Sequence, residues 1–144
     1  MGSIRSNHCV YDTHFHIVFP VKYRKALLDQ RITAAVLEIA TEIEQRYEIT
    51  FERIGTDGDH IHILCSFHPK YAASRMVGAF KSITARELFK RFPELKKDLW
   101  GGEFWTDGFY IATVGTKGDW TTVERYVANQ GKTKESSSQL ILWH

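Results

Sequence analysis

The chain has few cysteines, little net charge and no long apolar run, and each of these features excludes a class of protein. Two cysteines, Cys9 and Cys65, are too few for a disulfide framework. No stretch approaches the ~20 consecutive apolar residues that span a bilayer. No charged, then apolar, then small-residue leader opens the chain. The expectation is a cytoplasmic protein without membrane contact.

The net charge of +2 at pH 7 is too small to indicate a polyanionic partner by itself. Any nucleic-acid contact therefore requires basic residues concentrated on one face. A length of 144 residues fits one domain, which we expect to span 1–144, with about 132–144 forming a C-terminal tail. The apolar end of that tail, "LILWH", is expected to dock on its own domain or on a partner.

Apolar periodicity predicts a mixed α+β fold. In chain order, the predicted elements are a strand over 10–19, a helix over about 29–47, strands over 48–55 and 60–67, a helix over 72–92, a strand that ends before 115, and a short helix over about 122–130. This order is the ferredoxin-like, RRM-like βαββαβ pattern, an antiparallel sheet with helices on one face. The last helix is an addition to that pattern.

Two His-x-His pairs lie within predicted strands, His14 with His16 and His60 with His62. Residues two apart on a strand point to the same face, so each pair presents two imidazoles side by side. Either pair is compatible with a metal site, and also with histidines that are satisfied by water or by neighbouring groups. By the same alternation, Asp59 is expected to point away from His60, and it would support a metal ligand only if the strand is irregular there.

The predicted last helix offers further candidates for a site. Tyr126 and Gln130 are four residues apart and share one helix face. The amide oxygen of Gln130 suits Mg²⁺ or Mn²⁺, and the phenol of Tyr126 would be a nucleophile near such an ion. The same spacing also fits a core-facing stripe with a buried tyrosine, and spacing alone does not decide between the two.

Several segments together resemble the single-tyrosine HUH transposases of the insertion sequence 200/605 family. The "DHIHIL" of 59–64 is similar to the His-hydrophobic-His motif, and "YRK" after "HIVFPV" to the N-terminal signature of the family. "FWTDGFYIATVG" over 104–115 is similar to the segment of turn and strand, and "ERYVANQ" over 124–130 to the catalytic helix. These matches extend over about residues 10–131.

The resemblance implies a metal-dependent DNA transposase that cleaves and rejoins single-stranded DNA through a 5′-phosphotyrosine. It implies His60, His62 and Gln130 as ligands of Mg²⁺ or Mn²⁺, with Tyr126 as the nucleophile. It also implies hairpin-forming element ends as substrate and a homodimer whose sheets join edge to edge. The tyrosine helix would then complete its own or its partner's histidine site, with Gly115, Gly118 and Gly131 as hinges.

Basic residues beside such a site are candidates for phosphate contacts, although exposed basic stripes are commonly solvated faces. The aromatic ring of Tyr23 could stack on a base. Trp100, Phe104 and Trp105 could be core, interface or stacking residues, and the core is the expectation. The predicted DNA-binding residues are Lys22, Tyr23, Arg24, Arg75, Lys81, Arg86 and Lys90.

Three other functions fit parts of the pattern. A domesticated relative would process repeated genomic palindromes without moving an element of its own. A metallohydrolase using bound water would leave no covalent protein–DNA product, and Tyr126 would then be structural. A non-catalytic nucleic-acid binder on an RNA-recognition-like sheet would need an aromatic-rich strand that the sequence lacks.

Overall fold

A computed structural model describes residues 3–6, 9–114 and 139–142 of the chain. The described helices are α1 (Gln30–Arg46) and α2 (Ala73–Arg91), and two short 3₁₀ turns cover Lys22–Arg24 and Pro93–Lys97. The described strands are β1 (Ile4–Ser6), β2 (Cys9–Tyr11), β3 (His14–Pro20), β4 (Ile49–Thr56), β5 (His60–Phe67), β6 (Tyr110–Val114) and β7 (Gln139–Leu142).

The main sheet has the order β6-β3-β5-β4-β7, and every neighbouring pair in it is antiparallel. Four of these strands and the two helices follow the predicted βαββαβ order, so the predicted α+β fold is confirmed. The first predicted strand, over 10–19, is wrong as one element. Residues 9–11 pair with β1 in a separate two-stranded sheet, and the main sheet begins only at His14.

The helices pack on one face of the sheet because alternate strand residues point toward them. Ile17, Ile61 and Ile63 belong to the same buried cluster as Ile39 of α1 and Phe80 of α2. Helix α1 begins where the carboxylate of its N-cap residue Asp29 accepts a hydrogen bond from the Ile32 N–H at 2.9 Å, an N-cap contact that stabilises the first turn. Cys65 is fully buried in this cluster, where burial raises the pKa of its thiol.

The apolar end of the chain docks on the protein's own sheet. Strand β7 pairs with β4 from Arg53 to Thr56, which confirms the expectation that this end docks. The predicted helix over 122–130, with Tyr126 and Gln130, lies outside the described residues, as do Gly115, Gly118 and Gly131. Neither of the two described helices is long and apolar enough to cross a membrane.

Candidate functional site

The second histidine pair lies on the central strand of the sheet, on the face opposite the helices. His60 and His62 are both buried, and the intervening Ile61 points into the helix-facing core. Val18 lies opposite His62 on β3, and Gly55 lies opposite it on β4. Because residue 55 is glycine, β4 places no side chain directly opposite the imidazole of His62.

The carboxylate of Asp59 contacts the neighbouring imidazole. Asp59 Oδ1 lies 2.6 Å from His60 Nδ1, so the expectation that Asp59 points away from His60 is wrong. Strand β5 begins at His60, and Asp59 belongs to the turn before it, where strand alternation does not apply. A carboxylate on Nδ1 fixes the orientation of the ring and leaves Nε2 as the nitrogen for a metal ion.

The turn that places Asp59 is held by backbone contacts. Gly58 has a φ of 67°, in the left-handed region that glycine adopts without strain. The N–H of Val21 donates to the carbonyl of Asp59 at 2.8 Å. The Nε–H of Arg24 donates to the other carboxylate oxygen of Asp59 at 3.1 Å. The segment after β3 therefore supports the residue that orients His60.

His62 is neutral at physiological pH in this environment. Burial, together with the neighbouring His60, His16 and Arg53, lowers the pKa of His62 to about 4. A neutral imidazole is the form that binds a metal ion, because the protonated ring has no free lone pair. His60 and His62 thus fit two ligands of a divalent cation.

The first histidine pair lies on the same face but has different partners. The Nε2 of His14 is 2.8 Å from a carboxylate oxygen of Asp12, and its Nδ1 is 3.0 Å from one of Glu52. Glu52 falls at a register shift in β4, where a bulge redirects the side chain. Both ring nitrogens of His14 are therefore engaged by carboxylates.

His16 lies nearer to the second pair. It pairs with Leu64, which makes it a diagonal neighbour of His62 across the two strands. Its proximity is among the causes that lower the pKa of His62. A structural role therefore fits His14, whose ring is satisfied by neighbouring groups, whereas His16 belongs to the surroundings of the site.

An open cavity of about 340 Å³ lies beside His60. Its walls include the cation of Arg24, the carboxylate of Asp107 and, among other aromatic residues, Phe109 and Tyr110. Tyr110 shares the histidine face, because it pairs with Val18 and Val18 pairs with His62. Charged and aromatic walls of this kind suit a nucleotide, whose phosphate and base require different contacts.

The predicted DNA-binding residues fall into two groups. Lys22, Tyr23 and Arg24 lie in the 3₁₀ turn next to Asp59, and Lys22 forms a 2.7 Å ion pair with Glu103. The other four predicted residues are on α2, on the opposite side of the sheet from the histidines: Arg75, Lys81, Arg86 and Lys90.

Lys81 has a role in holding a loop. Its ammonium donates to the carbonyls of Thr106 at 2.7 Å and Gly108 at 2.5 Å, and burial lowers its pKa. Lys81 therefore fixes the loop that carries Asp107 and leads to Phe109, both of which line the cavity beside His60. Its role in DNA contact remains a prediction, as do those of the other α2 residues.

The three aromatic residues expected in the core separate into two kinds. Phe104 and Trp105 are buried, and the Trp105 indole N–H donates to Thr84 Oγ1 at 2.9 Å. Trp100 is 74% exposed, so its predicted core position is wrong. It follows buried Leu99 and precedes Gly101 and Gly102, which both have positive φ, so a turn carries it outward.

The sequence did not predict the contacts of Asp59 and Glu52 or the exposure of Trp100. Asp59 had a usable signal, because the "TDGD" turn residues place it before the strand rather than within it. Glu52 and Trp100 had none, since a bulge and an outward turn are set by contacts between distant segments.

An antiparallel α+β sheet with two buried histidines side by side on the face opposite its helices is the arrangement of HUH-fold proteins. A family model described as IS200-like transposase matches residues 9–130, and the chain belongs to that family. It is 30% identical over 121 residues to the ISDra2 transposase TnpA of Deinococcus radiodurans, covering 84% of this chain and 86% of that one. It is 28% identical over 143 residues to the transposase for insertion sequence element IS200 of Salmonella typhimurium, covering 99% and 93%.

Solved structures agree with this assignment. A crystal structure assigned as a transposase from Deinococcus radiodurans superposes with a TM-score of 0.73 at 25% identity, over 88% of this chain and 97% of that chain. A REP-associated tyrosine transposase bound to a REP hairpin has a TM-score of 0.51 at 10% identity, over 94% and 78%, and shares the fold. The predicted membership of the insertion sequence 200 family is thus confirmed.

Two members of the predicted site, Tyr126 and Gln130, lie outside the described residues. Within the described ranges no three His, Cys, Asp or Glu side chains form a group that could hold a metal ion. The two histidines therefore need a further ligand, for which Gln130 remains the prediction.

Proposed function

We propose that this transposase cleaves and rejoins single-stranded DNA at a divalent metal site. His60, His62 and Gln130 would hold Mg²⁺ or Mn²⁺, and Tyr126 would be the nucleophile. The observation that carries the proposal is the contact of Asp59 with His60 Nδ1 at 2.6 Å, beside neutral His62 and an open cavity. A carboxylate that orients one imidazole next to a second, neutral one is the arrangement of a metal-binding pair.

The proposed cleavage and rejoining of DNA need no external energy source. The Tyr126 hydroxyl loses its proton as its oxygen bonds to phosphorus, and the breaking P–O3′ bond leaves a 3′-hydroxyl that gains one. The resulting 5′-phosphotyrosine retains the bond energy, so a 3′-hydroxyl of another strand restores a phosphodiester without ATP. The bound cation would polarise the scissile phosphate and neutralise charge on its oxygens.

The cavity beside His60 supplies contacts for the nucleotide next to the scissile phosphate. Arg24 donates through Nε to Asp59, and its terminal N–H groups remain as further donors for a phosphate. Phe109 and Tyr110 are each about a third exposed and offer ring faces to a base. Hairpin-forming element ends are the proposed DNA, in line with the REP hairpin bound by a structural neighbour.

A homodimer is part of the proposal. In the described sheet β6 pairs with β3 alone, whereas the outer side of β4 is covered by β7. We therefore assign edge-to-edge joining to β6, because joining through β4 would require β7 to leave. Mixing Tyr126→Phe subunits with His62→Ala subunits tests whether the tyrosine acts in trans, because only then does one competent site form.

The central test is a covalent adduct. Single-stranded DNA with the ends of the protein's own element is incubated with Mn²⁺ or Mg²⁺ and analysed under denaturing conditions. Wild-type protein should give a stable protein–DNA product attached through the DNA 5′ phosphate, and Tyr126→Phe, His60→Ala and His62→Ala should give none.

Tyr110→Phe is the matched control, because Tyr110 is a tyrosine that lines the cavity beside His60. It should form the adduct at a rate close to that of wild type. An adduct that persists in Tyr126→Phe but disappears in Tyr110→Phe would transfer the nucleophile role to Tyr110. Cleavage without any adduct would favour a metallohydrolase.

A further inference from the structure

Tyr23 and Trp100 form an exposed aromatic pair on the surface. Their rings stack with centroids 6.1 Å apart and an interplanar angle of 26°. Tyr23 is 50% exposed and Trp100 is 74% exposed. Two large adjacent rings that are both exposed to solvent form an apolar surface patch. Exposed apolar patches often mark binding sites.

The backbone at Tyr23 is strained, and its neighbours hold it in place. Tyr23 and Arg24 have φ values of 62° and 55°, and among the described residues they are the two non-glycine residues with positive φ. The N–H of Lys22 donates to the carbonyl of Phe104 at 2.8 Å, and the N–H of Arg24 to that of Val21 at 2.9 Å. Strain that surrounding contacts maintain is typical of functional positions.

Ion pairs on both sides fix the same turn. Lys22 binds Glu103 at 2.7 Å, and Arg24 binds Asp59 at 3.1 Å. The ammonium of Lys22 also lies 5.8 Å from the centroid of the Tyr23 ring. The ring of Tyr23 therefore lies against Trp100 and near the Lys22 ammonium, on a turn that both ion pairs fix.

The charge around this pair favours a polyanion. The segments 22–25 and 96–103 contain five basic residues and two acidic ones. The basic residues are Lys22, Arg24, Lys25, Lys96 and Lys97, and the acidic ones are Asp98 and Glu103. With Asp59, which pairs with Arg24, the acidic residues number three, so the basic residues stay in excess. Exposed aromatic rings among cations are the arrangement that binds single-stranded nucleic acid, since the rings stack on bases and the cations contact phosphates.

We propose that the Tyr23–Trp100 pair is a stacking site for an unpaired base of single-stranded DNA, outside the nuclease centre. Arg24 follows Tyr23 and lines the cavity beside His60, so one strand can extend from the stack into that cavity. This inference rests on the proposed function to the extent that single-stranded DNA is the substrate. The role of the stacking site is to hold the DNA strand while the phosphate beside His60 reacts.

The test measures binding without cleavage. Tyr126→Phe protein in chelator is titrated with a short oligothymidylate and with an abasic strand of equal length, so that both ligands carry the same charge. The starting protein should prefer the thymidylate. Trp100→Ala and Tyr23→Asn, each added to Tyr126→Phe, should lower thymidylate affinity about 5- to 100-fold and remove that preference.

Conservative variants and a matched control make the result specific. Trp100→Phe and Tyr23→Phe keep a ring and should retain the preference. Tyr71 is the matched control, because its neighbour Lys70 also forms an ion pair with a glutamate, Glu48, and lies near the ring. Tyr71→Ala should retain the preference for thymidylate. Asparagine tolerates positive φ, so Tyr23→Asn should fold at least as stably as the starting protein.

Three results would overturn the stacking site. One is an unchanged preference in both Trp100→Ala and Tyr23→Asn. Another is an equal affinity of the starting protein for the two strands. The third is a change of oligomeric state in Trp100→Ala, which would assign this face to contact between copies. Because no cleavage is measured, a failed adduct experiment leaves this test intact, and a failed stacking test leaves the adduct experiment intact.

Discussion

The two His-x-His pairs lie on adjacent strands and on the same face of one sheet, yet their surroundings differ. Both ring nitrogens of His14 contact carboxylates, one from Asp12 and one from Glu52 at the bulge of β4. His60 contacts one carboxylate, that of Asp59, through Nδ1 only. The comparison teaches that the spacing of two histidines defines their face, whereas neighbouring carboxylates decide whether a ring is available to a metal ion.

The largest expected contrast is in metal affinity. His60→Ala or His62→Ala should weaken Mn²⁺ binding by more than about 100-fold, because each removes a direct ligand. His14→Gln and His16→Gln should leave Mn²⁺ affinity within a few fold. Calorimetric titration of folded variants with Mn²⁺ measures this. A comparable loss of Mn²⁺ affinity in His14→Gln would show that the two pairs do not differ in metal binding.

The two carboxylates should show the next largest contrast. Asp59→Ala should weaken Mn²⁺ binding about 10- to 100-fold, the usual effect of removing a group that orients a metal ligand. Glu52→Ala should leave Mn²⁺ binding unchanged and lower the free energy of unfolding by about 1–3 kcal/mol, because it leaves the buried His14 without one partner. Urea unfolding and Mn²⁺ titration of both variants give the full comparison.

Asp59→Asn sharpens that comparison, since its amide oxygen can still accept a hydrogen bond from His60 Nδ1. It should recover part of the Mn²⁺ affinity lost in Asp59→Ala. If Asp59→Ala binds Mn²⁺ as tightly as wild type, then the 2.6 Å contact does not orient a ligand.

The last contrast is in the pH dependence of stability, and at pH values near neutrality it is the smallest. The pKa of His62 is about 4 in the folded protein, against about 6.5 in an unfolded chain. Between these values the unfolded chain binds a proton that the folded protein excludes. The stability that depends on neutral His62 is therefore complete above pH 6.5 and is lost as the pH falls toward 4, by up to about 3 kcal/mol.

Urea unfolding of metal-free protein at several pH values measures this slope. His62→Leu should flatten it between pH 6.5 and 4, whereas His68→Gln, at a half-buried histidine on the edge of the Tyr11 ring, should leave it close to wild type. An equal slope in wild type and His62→Leu would mean that another group controls acid unfolding.

Much of the fold was predictable from the sequence because periodicity and turn residues act locally. The bounds predicted for both described helices and for β4 and β5 agree with the structure to within one residue. The division of residues 9–20 into two strands was not predictable, because the pairing of Cys9–Tyr11 with Ile4–Ser6 depends on a second segment. The family was identifiable because its motifs extend over nearly the whole chain.

The sequence by itself determined that His60 and His62 share a face, because a strand repeats every two residues. It also determined that Ile61 and Cys65 point into the core. Only the tertiary structure decided that Asp59 contacts His60 and that Glu52 contacts His14. It also decided that Trp100 stacks on Tyr23 at the solvent-exposed surface. These three outcomes depend on a turn, a bulge and the approach of distant segments, whose geometry is set by long-range contacts and not by local periodicity.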